Sequence, residues 1–112
     1  MKKIYIAGPY SIGDKLENVH TAIRTANELA DIGFAPYCPH ALTHYWDQLH
    51  PRPYEFWLEL DRHFLVCCDA VYRMQGESNG ADMEVSLAQR LNIPIFHTIE
   101  AMCEHFELTP DH

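Results

Sequence analysis

The sequence lacks any apolar run of the eighteen or so residues needed to span a bilayer. Its opening stretch, "MKKIYIAGPYS", reaches Gly8 and Pro9 too soon to serve as a leader. Both absences set the expectation of a soluble, cytoplasmic protein with no membrane partner. Basic side chains are scarce: eight Lys and Arg stand against sixteen Asp and Glu, a formal charge of −8. That balance repels a phosphate backbone and leaves no basic stripe to follow a duplex, so nucleic acid is not expected as a partner. The four cysteines (Cys38, Cys67, Cys68 and Cys103) show no CxxC spacing, and two are adjacent in an apolar run. They read as reduced, buried thiols rather than bridges. Neither GxGxxG nor GxxxxGK[ST] is present, and "GPYSIG" satisfies neither, which excludes the usual phosphate cradles of dinucleotide enzymes and NTPases. Repeats, low-complexity tracts and linkers are also missing.

What is present is enough for one domain, 1–112, with one core: 112 residues, 47% of them hydrophobic. "KKIYIAG" predicts a buried strand stopped by a Gly-Pro turn. From Asp14 to Ile32, Leu16, Val19, Ala22, Ile23, Ala26, Leu29 and Ala30 recur at helical spacing, with Gly33 at the C-cap position. "FAPYCP" predicts a second strand. "HALTHYWDQLHPRP", polar, aromatic and bounded by prolines, predicts a long loop with a helical turn at most. Pro53 suits the first turn of a helix whose apolar face (Tyr54, Trp57, Leu58, Leu60, Phe64, Leu65) runs to about residue 66. "CCDAVYRM" is a third strand, "QGESNG" a loop, Ala81 to Leu91 a helix, "IPIFH" a fourth strand and "TIEAMCEHFEL" a closing helix.

Strands alternating with helices over short connections predict an α/β fold: a single-domain, three-layer, doubly wound parallel sheet of four or five strands, flavodoxin-like or Rossmann-like. In such sheets ligands sit at the carboxyl ends of the strands, where the strand order reverses. Three segments converge there: Gly8 to Gly13, the stretch from Pro39, and Gln75 to Gly80. Glu84 falls in the expected first turn of the helix leaving the third segment. A carboxylate there gains from the helix dipole and free backbone donors, which favour its charged form.

"SNGADMEVSLA" resembles the S/D-x-G-x-x-x-E signature of the nucleoside 2-deoxyribosyltransferase-like superfamily, which includes the 2′-deoxynucleoside 5′-monophosphate N-hydrolases. "KKIYIAGPYS" is similar to that family's opening strand, and "DRHFLVCCDAVY" to its Asp-x7-Asp run. The resemblance runs in order from Met1 to about Phe96. It implies Glu84 as the nucleophile, Tyr5 as the hydroxyl that orients it, and Asp61 as base contact or proton donor. It also implies Ser78 with Gly80 as the 5′-end contact; Gly8, Ser11, His40 and Asn79 are further expected substrate contacts, and Asp69, at the start of the third strand, reads as structural.

The implied activity is cleavage of the base–sugar bond of a 2′-deoxynucleoside 5′-monophosphate or related nucleoside through a glycosyl-enzyme intermediate. Base exchange by a 2-deoxyribosyltransferase is the alternative, and a non-catalytic nucleotide sensor a third reading. A carboxylate beneath C1′ stabilises the oxocarbenium-like centre, and a proton delivered to the base helps it leave. Ser78, six before the glutamate, suits a phosphate better than an acid would. The loop after strand one offers only Ser11, Lys15 and backbone amides in place of the hydrolases' arginine. A homodimer or higher homo-oligomer is expected, with no metal and no organic cofactor. His40 and His44, with His50 and Cys38 nearby, raise the question of zinc, but no fourth ligand is evident. His40, Tyr45 and Trp46 read instead as lining a base pocket or packing the loop.

Overall fold

The computed structural model describes residues 1–108. Residues 109–112, the end of the domain expected over 1–112, lie outside that range. Four strands, β1 (Lys3–Ala7), β2 (Ala35–Tyr37), β3 (Ala70–Arg73) and β4 (Ile95–Phe96), form one parallel sheet in the order β2-β1-β3-β4. Among the described residues five helices accompany them: α1 (Lys15–Ile32), α2 (Pro39–Leu49), α3 (Tyr54–Leu65), α4 (Asn79–Arg90) and α5 (Ile99–Phe106).

β1 explains the layering. Ile4, Tyr5, Ile6 and Ala7 are all fully buried, and successive side chains of a strand point to opposite faces. Ile4 and Ile6 enter a core with Ala22, Leu29 and Ile32 of α1 and Ile99, Met102 and Cys103 of α5. Tyr5 and Ala7 enter a second core with Leu65 of α3 and Ala81 and Ala88 of α4. A sheet apolar on both faces must be covered on both, which gives the three layers expected. The chain leaves β1 for β2 on one side and returns to β3 on the other, so the order reverses between β1 and β3. Asp69 helps join those strands: its Oδ2 accepts from Lys3 N at 2.7 Å, while Asp69 N donates to Lys3 O at 2.8 Å.

Several expectations need correction. The stretch from Pro39 is a helix, not a loop: Pro39 occupies N1, where its missing N–H costs nothing and its φ suits a helix. Leu16 and Ile23 are about half exposed; the buried stripe of α1 is Val19, Ala22, Leu29 and Ile32. The caps fall as read, with Asp14 Oδ1 accepting from Glu17 N at 3.1 Å and Gly33 in the left-handed region at φ 118°. Cys67 and Cys68 precede β3 rather than opening it, and α4 begins at Asn79 rather than Ala81.

The loops after β1 and β3 interlock through glycine. Gly76 has φ +117°, and a Cβ there would meet Pro9 Cγ at 2.6 Å. Gly76→Ala combines backbone strain with a clash and is expected to cost roughly 2–4 kcal/mol, lowering Tm by about 10 °C in thermal denaturation. Gly13, at φ +81° with no atom of the described residues within 4 Å of its Cβ position, is the control. Gly13→Ala should cost about 1 kcal/mol.

Candidate active site

At the reversal point, β1, α2, α3 and α4 surround one pocket lined by Gly8, Tyr10, Pro39, His40, Thr43, Tyr54, Trp57, Leu58, Asp61, Ser78, Gly80, Ala81 and Glu84. Each wall follows from local sequence. Tyr54, Trp57, Leu58 and Asp61 share one face of α3 at helical spacing. Trp57, Asp61 and Leu65, four apart, are the buried residues of that helix, so a carboxyl occupies an apolar stripe. Trp57 is fixed by Asp47 Oδ1, which accepts from its Nε1 at 2.9 Å. Trp46 packs edge-on against Trp57, with ring centroids 5.0 Å apart. Asn18 Nδ2 secures the loop after β1 by donating to Tyr10 O at 3.0 Å and Ile12 O at 2.8 Å.

Glu84 and Tyr5, 79 positions apart in sequence, meet at the pocket floor, where the Tyr5 hydroxyl donates to Glu84 Oε2. Tyr5 is fully buried and stacks on Tyr37 at 5.6 Å; Tyr37 stacks in turn on Phe64 at 4.9 Å. Ser78 is the N-cap of α4, its Oγ accepting from Ala81 N at 3.1 Å. With the helix starting at Asn79, Glu84 stands in the second turn and not the first. The helix-end argument for its ionisation therefore does not hold. Burial instead pushes the Glu84 carboxyl up to about 8; the Tyr5 hydroxyl opposes that rise, the Asp61 charge adds to it, and Arg73 and Arg62 oppose it. Burial likewise raises Asp61 to about 7, opposed by the Tyr37 hydroxyl. Among the described residues Asp61 Oδ1 and the Tyr37 hydroxyl are both buried without a hydrogen-bond partner, while the Tyr37 hydroxyl is near enough to Asp61 to hold its carboxyl lower than burial alone would. The two carboxyls interact, and their protons leave in steps that belong to the pair. Taken singly these values would ionise Asp61 first; the Tyr5 hydroxyl donating to Glu84, with no donor on Asp61 Oδ1 among the described residues, orders the pair the other way, with the charge on Glu84 and the proton on Asp61.

His40 is buried, and its Nε2 lies 2.9 Å from Pro9 O and 3.2 Å from Gly8 O. Burial lowers its pKa, so the ring is neutral, Nε2 carries the proton and Nδ1 is a bare acceptor. With Nε2 given to backbone carbonyls, His40 braces the loop after β1. His40 and His44 do lie four apart on α2, yet among the described residues no group of three or more His, Cys, Asp or Glu is placed to hold a metal.

Of the residues singled out from sequence, Gly8, His40, Asp61, Ser78, Gly80 and Glu84 meet in the pocket, with Tyr5 behind Glu84. Ser11 and Asn79 are exposed and do not line it. Tyr45 is 66% exposed and Trp46 braces the wall from outside. Sequence reading did not assign Tyr10, Thr43, Tyr54, Trp57 or Leu58 to the site; the α3 face shared with Asp61 was the available signal for three of them.

A family model described as a domain of unknown function (DUF7768) matches residues 2–98. The chain belongs to this family. Its backbone is similar to a solved 2-deoxyribosyltransferase from the psychrotolerant bacterium Bacillus psychrosaccharolyticus, with TM-score 0.60 and 20% identity over 83% of this chain and 69% of that one. At that identity the likeness establishes the fold: this DUF7768 domain has the deoxyribosyltransferase architecture. No curated protein matches the sequence. Among the described residues no helix is long and apolar enough to cross a membrane.

Proposed function

We propose that the chain is an N-glycosidase that cleaves the base–sugar bond of a 2′-deoxynucleoside or its 5′-monophosphate. Glu84 carboxylate attacks C1′ as the bond to the base breaks, and Asp61 passes its proton to the departing base. Water, deprotonated by Asp61, then hydrolyses the glycosyl ester and restores both groups. The observation that carries this is the Tyr5–Glu84 contact at the floor of a pocket that also holds Asp61. A buried tyrosine donating to one carboxylate gives it an orientation and a reason to ionise.

The lining bears on the 5′ end. Two carboxyls and no Lys or Arg are among its residues, which disfavours a phosphate dianion relative to a free 5′-hydroxyl. Ser78 has its oxygen engaged by Ala81 N and its O–H free to donate to that hydroxyl. One observation keeps the phosphorylated substrate in view: Lys15 Nζ lies over the Tyr10 ring, 4.9 Å from its centroid, at the rim.

Chromatography of deoxynucleosides and their monophosphates incubated with the protein separates the readings. Free base released without an added acceptor is the expected result. Release only when a second base is supplied would make the protein a transferase. Saturable binding with no release under either condition would make it a sensor.

A further inference from the structure

Arg73, the last residue of β3, has a side chain only 11% exposed, although nothing in the pocket lining contains it. Its guanidinium donates from Nη1 to Met74 O, and from Nη2 to Gly76 O at 2.9 Å and Asp82 Oδ1 at 3.2 Å. Two of these acceptors are carbonyls of the turn that leads to α4, and the third is a side chain of that helix. We propose that Arg73 is a positioning residue of this site: it fastens the turn after β3 and the start of α4 to the end of the strand, and so fixes where Glu84 stands beneath the pocket.

Geometry makes the guanidinium specific. A planar fork with five donors can serve three acceptors in different directions, whereas an ammonium offers one point of charge. The carbonyl bonds carry the effect, because the Asp82 side chain is 70% exposed and an ion pair to it contributes little. Pro9 packs against the same turn and leaves no space for a Cβ on Gly76. Gly76 thus meets both Pro9 and Arg73, two residues before the Ser78 cap.

Charge adds a second effect. Glu84 is faced by Tyr5 from β1, Asp61 and Arg62 from α3, and Arg73 from β3, while Tyr37 and Tyr54 also feel its charge. Asp61 disfavours ionisation; both arginines favour it. The Arg62 side chain is 48% exposed and screened by solvent, so the more buried Arg73 is the stronger fixed cation.

The inference that Arg73 serves catalysis rests on the glycosidase reading, so the test includes measurements that do not. The full chain and its R73K, R73M and D82N variants are compared by 13C NMR titration of the Glu84 carboxyl carbon, assigned with E84Q. Amide exchange at Met74, Ala81 and Asp82, whose N–H groups donate to Ala7 O, Ser78 Oγ and Ser78 O at the two ends of the turn, and the rate of base release complete the comparison. R73M should raise the Glu84 midpoint by about one unit and cut kcat tenfold or more, with KM changed under threefold. R73K should keep the midpoint, yet exchange about tenfold faster at Met74, Ala81 and Asp82 and lose a similar share of kcat. D82N should change each by less than twofold. Wild-type exchange in R73K would overturn the proposal whether or not R73M folds, as would an unmoved midpoint in folded R73M. A wild-type protein that releases no base defeats the glycosidase reading alone, because titration and exchange still report on Arg73.

Discussion

Glu84→Gln should reduce base release by at least ~10³-fold and make the protein more stable at neutral and alkaline pH. The first effect follows from removing the nucleophile while keeping the shape of the side chain and an acceptor for the Tyr5 hydroxyl. The second follows from the environment of Glu84. Its carboxyl and that of Asp61 are raised together, from ordinary values of 4.5 and 3.8 to about 8 and about 7, so over that range the folded pair binds more protons than the same groups in the unfolded chain. Stability therefore falls as pH rises through that window and is fullest below it. Allowing for screening at the pocket mouth, the loss is about 2 kcal/mol between pH 5 and 8. Asp61, raised from 3.8 to about 7, acts with the same sign. Urea melts of the wild type at pH 5, 6.5 and 8 should show declining stability, and Glu84→Gln should flatten the decline. A wild type whose stability rises over that range would remove the physical basis for the buried pair.

Asp61→Asn should lower kcat by ~10²–10³-fold, the loss expected for a positioned general acid. It should also change the shape of the pH profile. In the wild type the nucleophile must be ionised and the donor protonated, so kcat/KM falls on both sides of a narrow maximum between about 7 and about 8. Without the Asp61 proton the alkaline limb disappears, and only the rise due to Glu84 remains. Substrates whose bases leave readily as anions should be the least affected. An Asp61→Asn variant that keeps both limbs would assign the donor to another group.

The strands were legible because β1 and β3 are buried on both faces, so short β-branched and aromatic runs between Gly, Pro and polar turns had one reading. The ends of α1 were legible for a local reason: Asp14 and Gly33 are chemical caps whose effect does not depend on the rest of the fold. α2 was not, because Pro39 and a mixed aromatic run carry no clean apolar period. Its burial of Pro39, His40 and Thr43 depends on α1 and the pocket, which sequence does not display. The start of α4 was misplaced by two residues, enough to move Glu84 from the dipole-dominated first turn to a site where desolvation dominates. Glu84, Tyr5 and Asp61 were singled out by family resemblance, since no periodicity relates positions 5, 61 and 84. Arg73 carried no signal, because two of its three partners are backbone carbonyls, which any residue type supplies.

Mass spectrometry of the intact and digested protein after exposure to a 2′-fluoroarabino nucleoside tests the central claim most directly, because fluorine beside C1′ slows breakdown of a glycosyl ester more than it prevents formation. The account predicts one fluoroarabinosyl group per chain, released free base in equal amount, and the label on the peptide bearing Glu84, with none in Glu84→Gln. A label on another residue, or the same label and base release in Glu84→Gln, would contradict it.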